Sequence, residues 1–270
     1  MSNNSCCSGT LKDLIKEEGG CGCSTLDAID MSKLKNPKNP KKEINDSSLK
    51  LLEEICEKLG IVSVGYTKCP VNTNNKLKYS NAIVLTYPIA MDIINEIPSE
   101  YAQELNNELY EFLGIITYVV SDYLRKEGFA TEVINPFGDL ADLSKLGQDA
   151  NLGYIGKNGL LITPDLGPRV KISAILTTIE NLPFLDKNPH EWIRNYCTRC
   201  SKCIKSCPEE ALIEKSDKLA KADIIDEKCI GCSKGCTYCI EFCPFFENGY
   251  SYIEEKQMKL ESKLKEKGKL

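Results

Sequence analysis

The sequence predicts an α+β protein: a mixed helix-and-strand core followed by a small cysteine-rich module. Three observations carry this. Helical and strand patterns alternate over 46–185, as in a layered core. Nine of the 15 cysteines crowd between Cys197 and Cys243. Only one His stands against those 15 Cys, so any metal site must be all-sulfur, which means iron–sulfur clusters or zinc. At 270 residues, 42% hydrophobic and 27% charged, the chain can bury one large or two modest cores and has an ordinary soluble composition.

Residues 1–45 read as a flexible tail. It holds Cys6, Cys7, Cys21 and Cys23, whose spacing matches no established ligand run, and a Lys/Asn/Pro stretch from Lys33 to Lys42 that reads as a linker. A short amphipathic helix fits Leu11 to Glu18. The core starts near Asp46. Leu49, Leu52, Ile55, Cys56 and Leu59 recur at helical spacing and Gly60 suits the residue after the helix. Cys56 on that apolar face reads as core; Cys69 falls in a loop. Ile61–Tyr66 and Asn81–Tyr87 read as strands. A long helix follows from Ser99, its cap, to Lys126, with Gly128 beyond its end. Phe129–Ile134 is another strand, Asn135–Asp139 a turn-rich loop, and Leu140–Ala150 a short helix. Leu160–Thr163 and Val170–Thr178 read as a hairpin. Glu180 to Trp192 links the core, 46–185, to the module, 186–250. Residues 251–270, mixed Glu and Lys, read as a solvated helix.

Several classes are excluded. The net charge of −5 gives no global basic field, so bulk nucleic-acid binding, and DNA binding in particular, is not expected. No apolar run is long enough to span a membrane, and no secretory signal is visible. A disulfide scaffold needs an exported and usually shorter chain. A cytoplasmic protein with reduced thiols is expected.

Within the module, Cys197-Thr-Arg-Cys200-Ser-Lys-Cys203-Ile-Lys-Ser-Cys207-Pro208 is C-x2-C-x2-C-x3-C-P, the run of bacterial ferredoxins. Three closely spaced thiolates suit one cube, and the fourth points to a second. The later run, Cys229 to Pro244, ends in the same C-x2-C-x3-C-P. Crossed ligation then gives one [4Fe–4S] cluster Cys197, Cys200, Cys203 and Cys243. The other takes Cys207, Cys236, Cys239 and either Cys229 or Cys232. Zinc sites favour two pairs across a long loop instead.

Gly153, Gly156 and Gly159 form a glycine-dense loop that matches neither a phosphate-binding Walker loop nor a dinucleotide fingerprint. By itself it reads as a tight turn. Its order with the hairpin and the double-cluster module resembles the epoxyqueuosine reductase family, related to the corrinoid iron–sulfur reductive dehalogenases. The resemblance runs over about residues 50–245. It implies a nitroreductase-like α/β domain with base-off cobalamin, a ferredoxin-like double-cluster domain, and reduction of an epoxide on a modified tRNA base. By the family pattern Cys229 and Cys236 are ligands and Cys232 is surplus. It also implies corrinoid contacts from Gly153, Gly156, Lys157, Asn158 and Arg169. The family's catalytic Asp falls on Phe137, so Asp139 or Tyr154 is the candidate proton donor; such a donor quenches the anion left by a two-electron reduction. The family's Tyr-His pair is missing, since lone His190 lies in what reads as a surface loop. A low-potential donor of ferredoxin or flavodoxin type is the expected partner. The substrate is a tRNA base or a small molecule. The competing reading is a non-catalytic carrier whose α/β domain binds a partner or a flavin.

Overall fold

The computed structural model describes residues 31–69, 77–134, 141–231 and 234–267. Asn45 caps α1 (Asp46–Lys58) by accepting the Ser48 N–H, and Gly60, at φ +82°, ends it. Two strands follow, β1 (Ser63–Lys68) and β2 (Asn81–Pro88), then a short α2 (Met91–Asn95). Ser99 accepts the Ala102 N–H to start α3 (Glu100–Lys126). After it come β3 (Thr131–Ile134), α4 (Leu143–Asp149), β4 (Tyr154–Ile155), β5 (Leu161–Ile162) and β6 (Val170–Thr177).

The main sheet has the order β1-β2-β6-β3 and is antiparallel throughout. Alternation along β2 builds three layers, because successive side chains leave a strand on opposite faces. Ile83 and Leu85 pack with Leu52 and Cys56 of α1 and Leu113, Ile116 and Val120 of α3. Ala82 and Val84 face Leu146 of α4, Leu152 and Leu161. Each fully buried Leu or Ile contributes about 1.5–3 kcal/mol by leaving water, so both faces of the sheet are held.

Three expectations change. The hairpin between Leu160–Thr163 and Val170–Thr178 does not form. β5 pairs with β4 (Tyr154↔Ile162, Ile155↔Leu161), while β6 lies between β2 and β3. The reason is backbone proximity: a Cβ on Gly153 would stand 2.1 Å from the Ile162 carbonyl oxygen, so only glycine lets the two segments meet. The stretch read as a linker is tied down from Ser32 onward. Lys33 and Leu34 donate backbone N–H groups to Asp122, Asn36 bonds reciprocally with Thr131, and Ile44 does so with Asn181. The C-terminal helix is not solvated all round; α9 (Tyr250–Glu266) buries Tyr250, Ile253 and Gln257. The early helix at 11–18 and the four tail cysteines lie outside the described residues, as do Phe137, Asp139 and Cys232.

The cysteine module comprises α5 (Trp192–Cys200), α6 (Lys202–Lys205), the ribbon β7 (Leu212–Ile213) with β8 (Asp223–Ile224), α7 (Tyr238–Glu241) and α8 (Pro244–Glu247). It is clasped by the core. Ile162 of β5 packs with Ile193, Cys243 and Phe245, and Ile240 packs with Ile89, Ile93, Ile94 and Leu109. Gly167 lies so close to Phe245 that a Cβ there would be 2.9 Å from the Phe245 carbonyl oxygen. Among the described residues, no helix is long and apolar enough to cross a membrane.

Candidate functional site

Cys197 and Cys200 sit on α5, which ends at Ser201 in a left-handed backbone, φ +49°. Such a conformation is uncommon for a residue with a side chain. It breaks the chain sharply between two helices and sends Cys203 on α6 back toward Cys200. Cys243 arrives from the far end of the module, at the N-cap of α8, where Pro244 opens the helix. All four line one small cavity, together with Lys157, Asn158, Ile162, Tyr196, Ser201, Pro244 and Phe245. Aromatic rings close the surroundings: Tyr196 meets Phe245 edge-on at 5.2 Å and Trp192 meets Tyr250 at 5.3 Å.

Burial pushes the thiols of Cys197 and Cys243 up to about 12 and that of Cys203 to about 11, and neighbouring cysteines of the set add to each shift. Thiolates form in such a place only against a strong positive charge, which bound iron supplies. The four thiols line the walls of one chamber. The donor set therefore fits an iron–sulfur cube.

The second set is more open. The Cys207 sulfur accepts the Ala211 N–H at 3.3 Å. Cys229 is exposed and Cys236 and Cys239 are partly buried. Cys239 packs against Cys203, Leu212 and Ala222, so the two sets adjoin. A Cβ on Gly235, φ +69°, would come within 2.5 Å of Ala102, which fixes the turn carrying Cys236 against α3.

The glycine loop is the turn of the β4–β5 hairpin. Gly156 leaves room for Ile162, whose Cδ1 would be 2.7 Å from an added Cβ, and Gly159 takes φ +80°. Its glycines are thus spent on packing and turning. The tip points into the module. Lys157 is buried and ion-paired with Glu214; its carbonyl accepts the Ala222 N–H at 2.8 Å. Asn158 donates to the Cys239 carbonyl at 3.0 Å. Arg169 is engaged elsewhere, donating to the Ile89 carbonyl. The structure therefore brings Lys157 and Asn158 to the cysteine cavity and leaves Arg169 apart. His190 lies in a turn and is half-buried, its Nδ1 2.7 Å from the Tyr250 hydroxyl, and burial lowers its pKa.

A larger pocket, about 170 Å³, adjoins the cysteine cavity. Gln148, Tyr154, Lys157, Arg194, Cys197, Thr198, Lys218 and Lys221 line it, and Lys157 and Cys197 belong to both walls. Sequence reasoning singled out Tyr154 but missed Arg194, Lys218 and Lys221, which nothing in their local sequence marks. The Asn158-Gly159 pair between two short apolar runs was the available signal for the hairpin.

Comparison with known proteins agrees with this geometry. Residues 192–244 match the family model of the 4Fe-4S dicluster domain. The chain is 31% identical over 141 residues to the tetrachloroethene reductive dehalogenase of Dehalobacter restrictus, covering 52% of this chain and 25% of that protein. It is 36% identical over 114 residues to the epoxyqueuosine reductase of Gloeobacter violaceus, covering 36% of this chain and 34% of that one. The chain thus spans about a quarter to a third of these relatives. Among solved structures, the catabolic reductive dehalogenase NpRdhA with 3-bromo-4-hydroxybenzoic acid superposes with TM-score 0.63 at 16% identity, over 92% of this chain and 38% of that one. An epoxyqueuosine reductase with a modified tRNA-Tyr stem loop gives TM-score 0.54 at 17% identity, over 76% of this chain and 67% of that one. These likenesses show the fold. The chain is an iron–sulfur protein of the α+β fold shared by these two groups. It is epoxyqueuosine reductase-like and also related to the reductive dehalogenases.

Proposed function

We propose that the protein is an iron–sulfur reductase in which two [4Fe–4S] clusters pass electrons, one at a time, to a reductive centre in the pocket beside Cys197. The clusters are held by Cys197, Cys200, Cys203 and Cys243, and by Cys207, Cys229, Cys236 and Cys239. The observation that carries this is the shared wall. Cys197 and Lys157 line both the four-thiol cavity and the larger pocket, so an electron held at the first site is one residue's width from whatever fills the second. Such clusters supply single electrons at low potential. A low-potential ferredoxin or flavodoxin is the matching donor, and the relay belongs in a reducing cytoplasm.

Tyr154 carries one of the two hydroxyls that line the pocket, the Thr198 hydroxyl being donated to the Arg194 carbonyl, and it is the group we assign to hold and deliver the proton. Arg194, Lys218 and Lys221 suit a substrate that carries negative charge, a tRNA base with its phosphates or an anionic small molecule. A corrinoid is the cofactor we propose for the reductive centre. It is supported by the relationship to reductive dehalogenases, for one of which a B12-dependent mechanism is described. Of the hairpin, Tyr154, Gly156 and Lys157 line the pocket, while the Lys157 ammonium and the Asn158 amide are engaged by the module. We therefore assign no step to the corrinoid. That same engagement favours the second reading, an electron carrier without a reductive centre. Cobalamin titration of the anaerobically reconstituted protein separates them. Conversion to the base-off absorbance supports the reductase; a spectrum that stays that of free cobalamin at saturating protein leaves the carrier.

A further inference from the structure

We infer that Lys157 sets the reduction potential of the cluster held by Cys197, Cys200, Cys203 and Cys243, with Glu214 as the partner that offsets part of its charge. The inference rests on the iron–sulfur reading above. Lys157 lines the cavity with all four of those cysteines. Its side chain is 2% exposed, whereas that of Glu214 is 38% exposed. The two charges are therefore unequal in effect. The ammonium is buried, and the carboxylate is partly screened by water.

The ammonium is fixed from both ends. The Lys157 carbonyl accepts the Ala222 N–H at 2.8 Å, and the next residue, Asn158, donates to the Cys239 carbonyl at 3.0 Å. At the tip of the side chain, Glu214 takes the ammonium and also accepts from the Ser201 hydroxyl at 3.3 Å. The hydrogen bond from Lys157 holds the Glu214 carboxyl below the usual carboxylate range, so the partner stays anionic. A buried lysine is costly to keep, and its ion pair with Glu214 also ties the hairpin to the module.

Reduction adds one electron to the cluster and makes or breaks no bond. A nearby positive charge stabilises the reduced form, so Lys157 raises the potential and Glu214 lowers it. Lys202, close enough to Cys200 and Cys243 to feel their charge, pairs with Glu247 at 2.8 Å but is 50% exposed, so water screens it and it serves as a control.

The test is an EPR-monitored titration of the full chain, reconstituted anaerobically and reduced with dithionite in the presence of mediators. The first cluster's signal is identified by its loss in Cys243→Ser. Lys157→Met should make that cluster at least tenfold harder to reduce, a downward shift of about 59 mV for one electron. Glu214→Gln should shift it upward, Lys157→Arg should restore the native value, and Lys202→Met should move it less than either. Opposite signs for the two members of one ion pair are what a merely structural role does not produce. If Lys157→Met fails to assemble the cluster, Glu214→Gln decides alone. An unchanged or lowered potential in Glu214→Gln overturns the inference while leaving the clusters in place. A wild-type protein that builds no cluster overturns the iron–sulfur reading itself.

Discussion

Burial pushes the thiols of Cys56 and Cys197 to the same value, about 12. Cys56 lies on α1 in a filled core with Leu52, Ile83 and Leu113. Cys197 lies on α5 at the wall of a chamber, with three more thiols around it. What distinguishes Cys197, the proposed ligand, from Cys56 is not burial but company. The core closes over a single sulfur, while the module keeps four around a space the side chains do not fill.

The largest effect should come from breaking the company. Cys243→Ser should remove the first cluster and about half the iron, since a cube of this type needs four thiolates, although Cys243 is far along the chain from Cys203. Iron and sulfide analysis with EPR reads it. Loss of the second cluster instead would mean that ligation is not crossed. Next is the fourth ligand of the second set. Cys229→Ser should lose that cluster and Cys232→Ser should keep both, by the same measurements; the reverse pattern reassigns the ligand.

Smaller changes test the core side. Cys56→Ala should leave the iron content untouched and cost about 1 kcal/mol of stability in a denaturant titration, as the loss of one buried atom does. Native Cys56 should also resist alkylation at pH 8, where its raised pKa keeps it a neutral thiol; it should react once the pH approaches 12 or the protein unfolds. Asn158→Ala should cost about 1–2 kcal/mol, because the Cys239 carbonyl loses its donor.

The core was legible because its signals are local. Ser99 and Gly128 bound α3 as their chemistry requires, β2 carries the continuous apolar run Ala82–Leu85, and β6 is rich in β-branched and apolar residues. The cysteine spacing was equally plain, and it pointed to Cys243 as partner of Cys197 before any geometry. What was not legible is what depends on which segments meet. Val170–Thr177 is a good strand in any partnership, and only the close approach at Gly153 assigns β5 to β4. Lys157 and Asn158 looked like free donors, since Glu214 and Cys239, their partners, lie far off in sequence. The Lys/Asn/Pro stretch looked like a linker because its anchors, Asp122, Thr131 and Asn181, are supplied by the core. Asp139 lies outside the described residues, and Tyr154 is the one candidate proton donor that lines the pocket.

The contrast between the two kinds of buried thiol rests on what fills the module. Elemental analysis of the full chain after anaerobic purification and reconstitution tests that most directly. The expected result is about eight irons and eight acid-labile sulfides per chain, as two four-iron cubes require, with no stoichiometric zinc. Zinc bound at a fixed ratio with no sulfide would contradict it.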